Sequence, residues 1–346
     1  MRKFDICLGN PAYNSDFSKS GENGTYAAPI YNKFLDEAFK VADKVEMIHP
    51  ARFLFNAGST PKDWNAKMLN DPHFKILSYE EDATKVFPNT LIKGGVVISY
   101  HDSTKRFDPI RVFTKHKEMS SILNKVVSRD EASFQTIVVT RTAFRLTEKV
   151  HKDHPRAINQ LSKGHPFDMS TNIFERLPEI FFDEKPNDGS EYIKILGRDK
   201  NTRVYKFIKK EYVNNPANLM YYKIYLPSAN GNGEFGESLT SPVIAGPKIG
   251  ATETFISVGN FETKAECLNA LQYIKSKFCR ALLNVLKTTQ HLTPEVWKYV
   301  PLQDFTSNSD IDWSKSVKEI DEQLYRKYNL DPSEIEFIET HVKEMI

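Results

Sequence analysis

The sequence predicts an α/β protein in two parts: an open sheet crossed by helices, then an α+β region of short strands and one long helix. Three observations predict it. Residues 4–13 form a short apolar run that stops abruptly at Asn10, Pro11 and the ring of Tyr13. Apolar runs then alternate with helical periodicity as far as Tyr100, and from His165 the pattern changes to short strands, turns and aromatics. The composition agrees with a folded chain that faces water: 346 residues, 40% hydrophobic and 27% charged, with a mean hydropathy of −0.48. A chain of this length suffices for two domains and can bury roughly three quarters of its unfolded surface.

No apolar run is long enough to span a bilayer and no signal-peptide pattern is visible, so a cytoplasmic setting is expected. The three cysteines, Cys7, Cys267 and Cys279, are widely scattered. That spacing argues against a disulfide framework or a zinc cluster, and they are expected to be reduced. The net charge of +2 is unevenly spread: residues 103–164 carry thirteen Lys or Arg against six Asp or Glu, whereas residues 304–346 carry five against eleven. A basic middle suits a polyanion, although a charge run is also what a solvated face looks like.

Taken in order, residues 4–8 have the length of a buried strand. Ligands in open α/β sheets bind just past the strand carboxyl ends, which places residues 10–13 where a substrate would be held. The Asn10 amide offers a donor and an acceptor and Tyr13 a flat face, a pairing suited to a planar, amine-bearing base. An exposed Asn-Pro turn has the same local sequence. Residues 15–25, rich in Ser, Gly and Asn, read as a mobile loop. Ile30, Phe34, Leu35, Ala38, Phe39 and Val41 recur at helical spacing across residues 28–42. A second strand follows at residues 45–48, implying a right-handed parallel crossover. His49 and Arg52, just beyond it, either face the site or are a structural histidine and a surface arginine. Thr60 as cap, Pro61 at the first helical position and Asp63 at the third start a helix running to about Leu69. Residues 74–79 make a third strand, and Gly94-Gly95 precede a fourth ending at Tyr100.

Asn10-Pro11-Ala12-Tyr13 after a strand resembles the catalytic motif Asn-Pro-Pro-Tyr of the amino-methyltransferases that modify adenine N6 in DNA, with Ala12 in place of the second proline. Residues 48–54 and 87–100 are similar to later motifs of the adenine methyltransferases of restriction-modification systems, in their gamma-class, type II or IIG-like form. The resemblance implies that residues 1–110 are the catalytic half of a Rossmann-like methyltransferase sheet, with the Gly-Gly-Val strand in an antiparallel hairpin closing it. It implies that the Asn10 side chain and the Pro11 carbonyl accept hydrogen bonds from the target amine while Tyr13 stacks on the flipped base. It also implies S-adenosyl-L-methionine as methyl donor, with Phe4, Asp5 and Asn10 as the candidate residues toward it, and no metal.

In that family the donor binds a glycine-rich turn after a strand that pairs with the catalytic one. No such turn is found here: Gly231, Gly233 and Gly236 lie in a Pro/Ser/Asn-rich stretch with neither a strand before nor a helix after. Residues 4–8 are therefore expected to form an uncovered apolar edge, and a second protein chain is expected to supply the cofactor half. A truncated or decayed gene product is the other reading.

Residues 111–164 are expected to connect two domains, with helices at 119–127 and 157–161 and a strand at 135–140. His151-Lys152-Asp153-His154 precedes a proline and reads as a solvated turn rather than a metal site. Residues 165–310 form the expected target-recognition domain. There Lys194, Arg198, Lys200, Arg203 and Lys206 interleave with apolar residues in strand order, which puts the cations on one sheet face. With Lys248, carried on a long flexible loop at 228–250, they are the candidate DNA contacts; a basic solvated strand is the alternative. Residues 218–227 make another strand whose tyrosines belong to the core.

Thr263 and Glu266 open a long helix with Leu268, Leu271, Ile274, Phe278, Leu282 and Val285 on one buried stripe. Lys275, Lys277, Arg280 and Lys287 near it either contact phosphate or snorkel at the surface. Residues 255–261, 273–286 and 297–305 resemble the recognition domain of the same family. Residues 311–346 form two helices, the second starting at Asp331-Pro332-Ser333-Glu334. The expected activity is site-specific methylation of adenine N6 in double-stranded DNA by base flipping, with no membrane partner. The alternative is a DNA-binding specificity subunit without chemistry, which Ala12 and the missing cofactor segment favour.

Overall fold

A parallel pair opens the chain: β1 (Phe4–Gly9), then α1 (Tyr31–Val41), then β2 (Ala42–Pro50), with Phe4 opposite Ala42 and Gly9 opposite Met47. After α2 (Lys62–Asn70) come β3 (Phe74–Glu80) and β4 (Val96–Asp102). β4 lies between β2 and β3, antiparallel to both, so the order is β1-β2-β4-β3. The computed structural model describes residues 4–14, 28–55, 59–88, 90, 92, 94–214, 216, 218–287 and 289–345. The chain divides into two units, residues 1–124 and 125–346. The loop expected at residues 15–25 lies outside the described residues.

The core of the first unit is built by Tyr31, Leu35 and Ala38 of α1, Val45 and Met47 of β2, Trp64 and Met68 of α2, and Phe53, Phe74 and Val97. Side chains alternate across a strand, so Cys7 turns toward this core and Phe4, Ile6 and Leu8 turn away from it. Those three are 59%, 57% and 70% exposed. Among the described residues β1 pairs with β2 alone, which makes it an edge strand rather than a buried one. The entry to β4 is fixed by Gly95, whose φ is +78° and where any Cβ would run into the Glu80 carbonyl oxygen. Thr60 does not cap α2 as expected: its hydroxyl donates to Asn65 Oδ1 at 2.7 Å, and Pro61 is the N-cap.

The second unit begins within α3 (Lys117–Val127) and continues through β5 (Val138–Val139), α4 (Glu148–Asp153), α5 (Ala157–Gln160) and α6 (Ile173–Arg176). β6 (Tyr192–Asp199) and β7 (Thr202–Lys209) form a hairpin, followed by β8 (Tyr222–Pro227), β9 (Val243–Ala245), β10 (Ile249–Ala251) and β11 (Phe255–Phe261). These strands make two sheets, β10-β6-β7 and β5-β11-β8-β9. The chain ends with α7 (Lys264–Lys275), α8 (Lys277–Leu283), α9 (Val317–Lys327) and α10 (Pro332–His341). Phe144, Leu146, Val150 and Ala157, from the stretch expected as a connector, are buried in one core with Ile193, Ile195, Ile208 and Tyr225.

Several expectations are corrected here. The strand expected at 135–140 shrinks to β5, because residues 134–137 take a 3-10 turn. The segment 228–250 is not a flexible loop: it contains β9, buries Asn230, Glu237 and Leu239, and is tied down by the Glu237 carboxylate. That carboxylate accepts the Asn232 N–H at 2.9 Å and pairs with the Lys287 ammonium. Lys287 and Arg280 are therefore buried residues, each 1% exposed, and Lys277 pairs with Glu339 at 2.6 Å. The long helix breaks at Ser276, and Leu268 faces solvent while Cys267, Ala270, Tyr273 and Ile274 take the buried side of α7. Residues 151–153 end α4 rather than forming a turn, and His151 Nε2 lies 2.6 Å from the Pro166 carbonyl. Among the described residues there is no group of three or more His, Cys, Asp or Glu placed to hold a metal ion, and no helix is long and apolar enough to cross a membrane.

Candidate functional site

Because β1 ends at Gly9, residues 10–13 leave the sheet at its carboxyl edge. The Tyr13 carbonyl accepts the Ile30 N–H at 3.0 Å, and Asn14 bridges Pro29 in antiparallel fashion. These two contacts latch the motif to the segment that enters α1. Asn10 is exposed, and among the described residues its side chain has no hydrogen-bond partner, so both ends of its amide are open to a ligand. Pro11 is half-buried and Ala12 exposed.

Tyr13 is half-buried against the rim of the core. Its hydroxyl is buried without a partner among the described residues, and burial raises its pKa. Phe87 meets it edge-on, with ring centroids 6.3 Å apart and planes inclined by 70°. This pair makes an aromatic corner at the end of the motif. Sequence reasoning placed Phe87 in a family-like stretch without giving it a role; its one local signal is an aromatic before a proline at the entry to β4.

The same end of the sheet carries the carboxyl end of β2 and the start of β4, since Pro50 pairs with Val96. His49 is fully buried there, 2.8 Å from Ser99 Oγ through Nε2 and stacked on Tyr31 at 5.3 Å. Burial lowers its pKa to about 4, so it is neutral and structural. Arg52 is exposed, its aliphatic stem against Gly94. Phe4 and Asp5 are not brought to the site. They are exposed at the far end of β1, which at about 3.3 Å per residue puts them roughly 16–20 Å from Asn10.

In the second unit the cations of the β6–β7 hairpin divide. Lys194 pairs with Phe207 and Arg198 with Arg203 across the ladder, which puts Lys194, Arg198 and Arg203 on one face. Lys200 stands in the turn with φ +47°. Lys206 pairs with Ile195 and so lies on the opposite face, held by Asp183 at 3.0 Å and Asp199 at 3.2 Å. Lys248 is tied to Glu191 at 3.0 Å. The expectation that the hairpin cations share one sheet face is thus corrected for Lys206, by strand parity, and Lys248 stands beside β10 rather than on a flexible loop.

Residues 1–87 match the model of a family described as the Eco57I restriction-modification methylase. The amino-terminal unit is thus similar to restriction-modification methylases. Among solved structures, the type IIG restriction endonuclease BpuSI is similar over 86% of this chain and 44% of its own, at 9% identity and a TM-score of 0.30. The type IIL restriction-modification enzyme MmeI in complex with DNA is similar over 97% of this chain and 56% of its own, at 9% identity and a TM-score of 0.36. The ATP-dependent type ISP restriction-modification enzyme LlaBIII bound to DNA gives 11% identity and a TM-score of 0.23 over 98% of this chain and 29% of its own. The chain spans about half the length of the first two. No curated protein matches the sequence.

Proposed function

We propose that this chain is the catalytic half of a site-specific DNA methyltransferase of the restriction-modification type, gamma-class, acting on adenine N6. One observation carries the reading: within the segment that matches the methylase family, an open amide, a proline carbonyl and the Tyr13 ring leave the carboxyl end of a strand in succession, and Phe87 meets that ring edge-on. Asn10 Oδ1 and the Pro11 carbonyl accept the two N–H groups of an adenine amine, which orients the nitrogen lone pair. Tyr13 and Phe87 hold the base once it has left the helix, and stacking of this kind contributes about 1–3 kcal/mol against an extrusion cost of a few kcal/mol.

S-adenosyl-L-methionine supplies an activated methyl group when bound. The described residues do not fit that donor by themselves: Phe4 and Asp5 are exposed far from Asn10, and the turn at 231–236 is filled by the Glu237 carboxylate. A second protein chain lying along the open edge of β1 provides the donor site in this reading, and double-stranded DNA is the substrate. A specificity subunit without chemistry is the second reading, favoured by Ala12 and by the inward-turned Tyr13 hydroxyl.

The test is transfer of labelled methyl to adenine in duplex DNA by the chain mixed with a candidate partner that carries a glycine-rich turn after a strand. Asn10→Ala is expected to abolish transfer while DNA binding persists. Loss of both together marks Asn10 as structural, and strong transfer by the chain alone removes the need for a partner. No transfer by any mixture, with DNA binding intact, favours the second reading.

A further inference from the structure

The β6–β7 hairpin carries two populations of cations. Lys206, Lys209, Lys210 and Lys248 each have a carboxylate within 4 Å, from Asp183, Asp199, Asp188 or Glu191. Lys194, Arg198, Lys200 and Arg203 have none among the described residues. Their neighbours are neutral: Lys194 Nζ lies 5.2 Å from the Phe207 ring, and Arg198 donates to Asn201 Oδ1 at 3.2 Å. Arg203 donates to the Ser241 carbonyl at 2.7 Å, with its guanidinium 5.5 Å from the Phe255 ring.

Strand register puts one further residue on the same face. Tyr205 stands two residues from Arg203 and two from Phe207, opposite the buried Leu196, and is 40% exposed. A tyrosine ring 40% exposed on the face that also carries Lys194, Arg198 and Arg203, none of them with a carboxylate within 4 Å among the described residues, suits a ligand that is both anionic and aromatic.

We infer that this face of the hairpin is the DNA contact of the second unit, with Arg198, Lys200 and Arg203 on backbone phosphates and Tyr205 laid against the bases and sugars of one groove. The inference rests on the DNA-directed reading above and deepens it. Arg203 is positioned in advance by Ser241 and Phe255. Lys206 and Lys248 take no part, because binding a phosphate there would first require breaking an ion pair.

The experiment is fluorescence anisotropy of the full chain with a labelled mixed-sequence duplex across a salt series. Replacing a phosphate contact lowers the slope of log K against log salt by about 0.9. Arg198→Gln is expected to do this, while Lys206→Gln and Lys248→Gln leave the slope unchanged. Tyr205→Ala is expected to weaken binding about tenfold with no change of slope, and Tyr205→Phe to bind as the unaltered chain does. Equal slopes for Arg198→Gln and Lys206→Gln overturn the inference, as does unaltered binding by Tyr205→Ala. If Tyr205→Ala fails to fold, the two slope measurements decide. A chain that binds duplex and supports methyl transfer with all hairpin variants neutral overturns this inference alone; a chain that binds no duplex overturns the DNA-directed reading with it.

Discussion

His49 shows how a single buried group sets a pH dependence. Its pKa falls from 6.5 to about 4 because the ring is fully enclosed. The unfolded chain therefore binds a proton at higher pH than the folded one, and stability rises with pH across that window. The contribution is complete above about pH 6.5 and lost as pH falls toward 4, a change of about 3 kcal/mol. Urea melts of the first unit, followed through Trp64 between pH 7 and 4.5, are expected to show this slope, and a His49→Gln variant to lack it. Glu237 and Lys287, 7% and 1% exposed, make a second test. Lys287→Met strands a buried carboxylate and is expected to cost about 3–5 kcal/mol in a urea melt, much of it recovered by adding Glu237→Gln. The sequence could not place Lys287 inside, since its partner lies fifty positions away with no local signal. Asn10 and Tyr13 were legible because a strand ending in an amide and a ring is a local pattern. Phe87 was not, because only tertiary packing brings it to Tyr13.

At the scale of elements, the four-residue signal at Thr60 misled, since that residue does not cap α2. Asp331 with Glu334 forms a complete capping box at α10 and Thr263 accepts the Glu266 N–H at α7, so both of those starts were legible. The break between α7 and α8 was not, since apolar spacing continues through it. Ser276 takes an extended conformation and accepts the Cys279 N–H, while Asp321 of α9 accepts the Lys277 and Phe278 N–H groups at 3.0 and 2.9 Å. A carboxylate from another helix thus satisfies the donors that the break exposes. Ser276→Ala is expected to lower stability by about 1 kcal/mol, read as a shifted urea midpoint with the slope unchanged. Gly95→Ala strains the entry to β4 and is expected to cost more than that, with the loss confined to melts of the first unit.

At the scale of the whole molecule, the decisive feature is the bare row of Phe4, Ile6 and Leu8 on an edge strand. Native sheets usually blunt such edges with charge or proline, and neither interrupts this row's exposed side. Leu8→Lys is expected to leave the thermal melt of the chain unchanged, since the side chain is 70% exposed. The same variant is expected to reduce methyl transfer reconstituted with a partner at least tenfold. Equal transfer would mean that the row covers nothing.

Among the described residues β1 also hydrogen-bonds on one side only, and it ends one residue before Asn10. Its outward amides should take up deuterium within seconds, while those of β2 and β4 stay protected for far longer. Anything that zips onto that flank stiffens the rail that carries Asn10. If Asn10 meets DNA as proposed, linkage runs in both directions: occupancy by DNA tightens the grip of the flanking strand by the same factor as the strand tightens the grip on DNA.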